Sequence, residues 1–406
     1  MPAHNSEPGD GSLRQTNPVL SPILTIARVL GRVSLPLTGL ASAAGLVSYL
    51  AGFNEVIGPA VVVALASLAL YITGHPKLKT LTFTFWVFAF VGAAMFYPWW
   101  FLAYGEFRLT RLIVPMIQII MFGMGTSLSV DDFLRALKVP KAVLVGIVLQ
   151  FTVMPLTGWS IATLFGFDPE VAAGVILIGS CSGGVASNVM AYLSRANVAL
   201  SVTMTACSTL MAPLLTPLAM QLLAGRLVPI DFWQMMVEIV WMVIIPIVAG
   251  LLFNKMLHGK HGWLDRALPV ISMAAICYVI AIITANARDK LLDVAFSLIG
   301  AAILHNSIGY VLGYFGARAT GLPETDCRTV AFEVGMQNGG MGTGLAINVL
   351  QSADAALAPN IFGTWMNISG SMLASWWRDR PPTNAGAVQQ AAADRPAPAL
   401  GGTRGA

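Results

Sequence analysis

The sequence predicts an all-α protein that crosses a membrane many times, and three observations carry that reading. Of 406 residues, 56% are hydrophobic and only 10% charged, against roughly a quarter charged in a soluble domain. Apolar stretches of about twenty residues, each enough to cross a hydrocarbon core about 30 Å thick, recur from residue 36 to 377. Two of them are interrupted by glycines and polar side chains at comparable places.

Taken in order, the apolar segments fall near 36–53, 55–74, 80–104, 110–128, 142–166, 171–194, 197–224, 232–257, 267–287, 292–317, 327–350 and 358–377. An even number of crossings puts both termini on one side. With the N-terminus inside, 18 of the 23 Lys and Arg fall on the inner side, leaving Arg108, Arg111, Arg226, Arg288 and Lys290 outside. The positive-inside bias therefore predicts that both termini are cytoplasmic.

Residues 1–35 are expected to form a cytoplasmic N-terminal segment. Within it, Pro18–Arg32 alternates apolar residues with Arg28 and Arg32 and reads equally as an interfacial amphipathic helix or a linker. Segment 36–74 is a helical hairpin, 75–377 the main membrane domain. The stretch 378–406, rich in Pro, Ala, Gly and Gln, has too little apolar surface to offset ordering and is expected to be a disordered cytoplasmic tail.

The interrupted spans contain Ser180-Cys181-Ser182-Gly183-Gly184-Val185-Ala186-Ser187-Asn188 and Glu333-Val334-Gly335-Met336-Gln337-Asn338-Gly339-Gly340. Asn188 and Asn338 stand 150 residues apart, and the amides of the preceding spans, Gln150 and Asn306, 156 apart. Such spacing points to two five-span halves, the second inverted, with hairpin 36–74 outside the repeat.

Among the 19 Asp and Glu, Glu333 alone sits deep in an apolar span. A carboxylate near the bilayer midplane costs several kcal/mol unless it meets a cation, so it marks function rather than packing. Glycines around it interrupt the helix and free carbonyls that must line a polar cavity. These carbonyls, with Glu333 and Gln337, suit a hard monovalent cation, while the first amides of the following half-helix suit an anion. Ser187, Asn188, Ser201 and Thr205 add neutral oxygens, the last two sharing a helix face four residues apart.

Enzyme chemistry finds little footing. Ser182 in SCSGG misses the nucleophile-elbow pattern, and His305 is a lone intramembrane histidine of the kind that usually bonds helix to helix. Cys181, Cys207, Cys277 and Cys327 are far apart and expected to be free thiols. No enzymatic cofactor and no nucleic-acid partner is expected.

The strings MFGMGTSLS (121–129), LQFTVMP (149–155), GSCSGGVASNVMAYL (179–193), NVALSVTMT (197–205), STLMAPLLTP (208–217), EVGMQNGG (333–340) and WMNISGS (365–371) resemble the bile acid:sodium symporter family over roughly residues 80–377. That resemblance implies ten helices in two inverted five-helix repeats, arranged as core and panel domains with two broken helices crossing at midplane. It implies two Na⁺ ions, one held by Ser187, Asn188, Ser201, Thr205 and Glu333, the other by Gln150, Glu333, Gln337 and the carbonyls of Val334 and Met336. It also places Asn338 and Asn367 beside a crevice for a small organic anion. Met366 stands where relatives often carry His, and Val185 where some carry Thr, so these two positions mark where substrate preference departs.

The expected activity is sodium-driven import of an organic anion by alternating access, in a bacterial inner membrane. Two alternatives share the sequence features: a proton-coupled carrier in which Glu333 titrates, and a membrane sensor or scaffold on the same fold that does not transport.

Overall fold

The computed structural model describes residues 20–75, 81–129, 139–257 and 264–380. The predicted tail beyond 380 and the N-terminal stretch before 20 lie outside the described residues. The chain divides into two compact units, up to Gly92 and from Ala93 onward.

In the first unit, α1 (Leu20–Ala51) and α2 (Asn54–Gly74) pack along each other and form a hairpin. The turn between them rests on Gly52, whose φ of 77° is left-handed backbone that a side chain rarely tolerates. Thr38 Oγ1 and Ser67 Oγ bond across the pair at 2.8 Å, one donating to the other, while the acceptor's own proton goes to a carbonyl of its helix, Ser34 O or Val63 O. Trp86 Nε1 on α3 (Thr82–Phe96) donates to Thr73 Oγ1 of α2 at 3.1 Å. From Leu20 the chain is helical without a break to Ala51, with Pro36 in the interior.

The expected single span 80–104 is corrected. Its helix stops at Phe96, and after Pro98 a four-residue turn of helix, α4 (Trp99–Leu102), leads into a two-residue hairpin of β1 (Ala103–Tyr104) and β2 (Phe107–Arg108). Proline supplies no N–H to continue the ladder and disfavours helix in the residue before it, which ends the run where apolarity alone predicts continuation.

The second unit continues with α5 (Ile113–Thr126), α6 (Pro140–Phe165), α7 (Pro169–Ser180), α8 (Ala186–Leu193), α9 (Val198–Leu223) and α10 (Phe232–Ile239). A π-turn at Val240–Ile244 joins α10 to α11 (Ile245–Leu257). The wide turn precedes Pro246, which has no N–H for a regular ladder. Then come α12 (Leu264–Asn286), α13 (Arg288–Ala319), α14 (Glu324–Gly335), α15 (Gly339–Asn348) and α16 (Ala353–Arg378).

Among the described residues, seven helices are long and apolar enough to cross a membrane by length and composition. The fold is thus all-α and multi-pass. Segments α7/α8 and α14/α15 miss that criterion because each is two half-helices, and α16 because it carries Asn360, Thr364 and Asn367.

Two packing groups are evident within this unit. In one, α5 packs against α11 and α12. Gly125 and Gly250 let α5 and α11 touch backbone to backbone, since a Cβ at Gly125 would lie 2.2 Å from Ile247 O and one at Gly250 2.2 Å from Phe122 O. In the other, α6 to α9 and α13 to α16 enclose the two helix breaks. Here α14 is anchored at its start by Arg328, only 5% exposed. Its guanidinium donates to Glu324 Oε1 at 2.8 Å and to the carbonyls of Trp377 and Arg380 at the end of α16 at 3.2 and 2.8 Å.

Candidate functional site

Each break is shorter than the sequence suggests. The first covers Cys181–Val185, so Ser187 and Asn188 lie in the first turn of α8; the second covers Met336–Asn338, so Glu333 lies in the last turn of α14. Both half-helices end with extended backbone, at Cys181 (φ −74°, ψ 159°) and Met336 (φ −120°, ψ 97°). Extended backbone exposes N–H and C=O groups that hydrocarbon would penalise, and each break answers for the other.

Gly184 N donates to Met336 O and Asn338 N to Ser182 O, both at 2.8 Å, with Gly183 and Gln337 paired antiparallel between them. A Cβ at Gly184 would lie 2.7 Å from Gln337 O, so this approach requires a residue with no side chain. The amide of the preceding span then closes each half-helix end: Gln150 Nε2 donates to Cys181 O at 2.7 Å, and Asn306 Nδ2 to Gly335 O at 2.6 Å. Ser369 Oγ on α16 holds the other end of Asn306, 2.5 Å from its Oδ1, and Tyr310 OH reaches Ser369 Oγ at 3.2 Å.

Across this crossing lies the carboxylate of Glu333, 3% exposed. Ser187 Oγ and Ser201 Oγ each stand 2.5 Å from its Oε1. Thr205 Oγ1 lies 3.1 Å from Oε1 and 2.8 Å from Oε2, and 3.4 Å from Asn188 Oδ1. Ser187, Ser201 and Thr205 are fully buried. Among the described residues no Lys or Arg pairs with Glu333. The structure therefore brings together Ser187, Asn188, Ser201, Thr205 and Glu333 as a cage of oxygens around one carboxylate.

The second predicted set is only partly gathered. Gln337 Nε2 donates to Val334 O at 2.6 Å and lies 3.4 Å from Gln150 Oε1, while Gln337 Oε1 is buried with no hydrogen-bond partner among the described residues. Met336 O is engaged by Gly184 N, leaving one lone pair. Glu333 meets Gln150 across a small cavity that Gly146, Ile147, Gly183, Met204 and Ser208 also line.

Of the residues expected at the crevice, Asn338 caps α15, its Oδ1 accepting from Met341 N at 3.0 Å. Val185 precedes α8 with no side-chain cap. Asn367 is half-buried and donates to Gly363 O of its own helix at 2.7 Å, whereas Met366 is packed in the core at 2% exposure.

Sequence reasoning missed Ser208 and the partnership of Asn306 with Ser369. A signal for Ser208 existed, because it follows Thr205 by three residues and Ser201 by seven on one helix face. Nothing local could link Asn306 to Ser369, 63 residues away.

Half-helices meeting around a buried carboxylate, with every backbone break paired internally, are the build of a secondary transporter. Residues 114–294 match the model of the Sodium Bile acid symporter family. The chain is 37% identical over 296 residues to the "Uncharacterized sodium-dependent transporter YocS" of Bacillus subtilis, covering 73% of this chain and 90% of that one. It is 34% identical to "Probable sodium/metabolite cotransporter BASS1, chloroplastic" of Oryza sativa, covering 76% of this chain and 75% of that protein. With the human "Ileal sodium/bile acid cotransporter" it shares 33% identity over 57% of this chain and 67% of that protein. The chain belongs to the sodium bile acid symporter family, a family of transporters rather than enzymes.

Proposed function

We propose that this chain couples the inward movement of Na⁺ to uptake of a small organic anion. The observation that carries the reading is the Glu333 carboxylate, buried among the hydroxyls of Ser187, Ser201 and Thr205 with no cationic side chain among the described residues bonded to it. A buried charge needs a counter-charge, and a cage of one carboxylate and several neutral oxygens matches a hard monovalent ion better than a proton alone. The relatives' names, sodium-dependent transporter and sodium/metabolite cotransporter, support Na⁺.

In this reading one Na⁺ is held by Ser187, Asn188, Ser201, Thr205 and Glu333, and a second by Gln150, Glu333, Gln337 and the carbonyls of Val334 and Met336. Oε1 of Gln337, which has no hydrogen-bond partner among the described residues, is an acceptor available to that second ion. The organic anion lies against the first amides of α15, at Gly339 and Gly340, with Asn338, Asn367, Val185 and the Met366 region forming its surroundings. The group of α6–α9 and α13–α16 acts as the core, and the group of α5, α11 and α12 as the panel against which it moves.

Twelve crossings with both termini cytoplasmic, in a bacterial inner membrane, complete the proposal, supported by the concentration of Lys and Arg on one side. Each net charge moved down 100 mV supplies about 2.3 kcal/mol, so two Na⁺ with one monoanion are driven by voltage as well as by concentration.

The test is uptake into proteoliposomes. A panel of carboxylic acids, from steroidal to short keto acids, is offered under an inward Na⁺ gradient and under an equal choline gradient. Accumulation of at least one acid with Na⁺ alone is expected. Accumulation driven equally by an inward proton gradient without Na⁺ would replace Na⁺ by H⁺ at Glu333, and the absence of flux for every acid would favour a sensor.

A further inference from the structure

We propose that the segment between α3 and α5 holds an anionic phospholipid of the outer leaflet: Trp99, Trp100, Tyr104 and Phe107 lie against its acyl chains, and Arg108 and Arg111 take its phosphodiester. Placement in the outer leaflet rests on the topology proposed above; the binding itself does not.

The length of α3 sets the depth of this segment. Its 15 residues rise roughly 22 Å, short of a hydrocarbon core about 30 Å thick. Chain beyond Phe96 therefore completes the outer part of the passage, and its backbone is suited to a layer poor in water. Trp100 N donates to Tyr97 O and Phe101 N to Pro98 O, and β1 and β2 pair Ala103 with Arg108 and Tyr104 with Phe107.

The side chains separate by character. Tyr104 and Phe107 stand opposite each other and share one face of the hairpin, while Arg108, opposite Ala103, takes the other. Trp99 and Trp100 are each more than half exposed, yet both are braced: Tyr97 stacks on Trp100 with ring centroids 4.7 Å apart and meets Trp99 edge-on at 5.4 Å. Tyr104 is 86% exposed. So many open rings in one short segment are costly in water and suited to the headgroup boundary, where Trp and Tyr find an apolar layer and water together.

The cations define the chemistry of the headgroup. Arg108 and Arg111 are both exposed, with Leu109 buried between them at the start of a 3₁₀ turn, Leu109–Leu112. Other outer cations are occupied, since Arg288 pairs with Asp289 and Lys290 with Asp168. Among the described residues Arg108 and Arg111 form no ion pair. Residues 97–112 hold these two arginines and a single carboxylate, Glu106. A guanidinium offers a phosphate two parallel N–H bonds. The surplus positive charge selects a headgroup of net negative charge over a zwitterionic one, whose own amine cancels it.

The segment is also fixed to its support. Phe101 is buried with its ring 5.8 Å from that of Tyr278 on α12, and the 3₁₀ turn packs against α5 and α12. A lipid here is held by the panel group and not by the helices around the crossing.

The test uses the purified full-length protein in a neutral detergent, with phosphatidylglycerol or phosphatidylcholine added to the micelles. Thermal unfolding is followed, and the mole fraction of lipid giving half the maximal shift is read, because a lipid that binds the folded state raises apparent stability by mass action. Phosphatidylglycerol should act at a lower mole fraction than phosphatidylcholine. Arg108→Ala and Arg111→Ala should each raise the phosphatidylglycerol midpoint about fivefold, and the double variant roughly twentyfold, the scale of one cation near an anionic headgroup taken once and twice. Replacing both by Lys, which keeps the charge and loses the fork, should give a midpoint between wild type and the double Ala variant. Arg226→Ala, at the exposed turn after α9, should leave the midpoint unchanged. Equal midpoints for the two lipids in wild type, an unchanged midpoint in the double Ala variant, or an equal loss in Arg226→Ala each overturns the site. A shift given by sodium phosphate and abolished in the double Ala variant would make the ligand free phosphate and overturn the lipid. None of these readouts uses Na⁺ or an organic acid as its variable, so failure here leaves the proposed transport standing.

Discussion

Exchanging Glu333 for Gln keeps the side chain's shape and removes the charge that Ser187, Ser201 and Thr205 surround. Sodium-dependent uptake should fall by more than the roughly 10–100-fold that the loss of an outer-shell partner costs a metal site. The measurement is initial uptake rate against Na⁺ concentration, with the unfolding temperature as a check on folding; uptake of wild-type sodium dependence would remove Glu333 from the cation sites. Asn338→Ala should act differently, because Asn338 caps α15 and is absent from both cation sets. It should raise the apparent substrate KM by about five- to tenfold and move the Na⁺ dependence less, with linkage between the two bound species allowing some change. Much of this was legible from residue type alone. A carboxylate deep in an apolar span announces itself, and Ser201 and Thr205 share a face by their spacing. The burial of Met366 was not legible, because its orientation depends on how α16 sits against Met336 and Met190, which a Cβ at Gly370 would meet at about 3 Å. Met366→His would place a polar ring in a packed core, so competition among acids of graded polarity should change only if this turn of α16 opens to the crevice; an unchanged ranking excludes it.

At the scale of helices, close backbone approach explains where small residues are needed. Gly125 on α5 and Gly250 on α11 each stand against the other helix's carbonyl. Gly125→Ala and Gly250→Ala should each destabilise the pair by about 1–3 kcal/mol, the usual cost of overpacking a fitted contact. The loss should appear as a lower unfolding temperature for both variants, whereas Gly39→Ala, inside α1 with none of the described residues within 4 Å, should not lower it. Element boundaries were legible to within a couple of residues at many ends, as where the span expected from 171 begins at Pro169. They were misread where Pro98 was passed over and where tertiary structure decides. The stretch to Tyr104 was uniformly apolar, yet Pro98 divides it, and the helix breaks are narrower than their glycines suggest because each finds hydrogen bonds in the other. Hydrogen bonds between Ser182 and Asn338, 156 residues apart in sequence, leave no mark in either segment alone.

For the whole molecule, orientation is the testable quantity. A reporter fused after Arg380 should read cytoplasmic and one placed in the 349–352 turn before α16 periplasmic, and deletion of residues 1–74 removes an even number of crossings and should leave both readings unchanged. Reversed readings would reject the proposed topology. Sodium-dependent uptake retained by that deletion would show that the hairpin of α1 and α2 is accessory to transport. The pairing of Gly184 with Met336 and of Asn338 with Ser182 adds a consequence for time scale. Interrupted helices ordinarily exchange their amide hydrogens quickly at the interruption, since no neighbouring turn protects them. Here the amides of Gly184 and Asn338 are bonded across the crossing and should exchange as slowly as those within α7 and α14, through every cycle of transport. Slow exchange at both positions would mean that the crossing travels as one rigid piece, and that the give which opens the path lies elsewhere, between helix groups. Rapid exchange at Gly184 and Asn338 with α7 and α14 still protected would show instead that the knot itself loosens on each turnover.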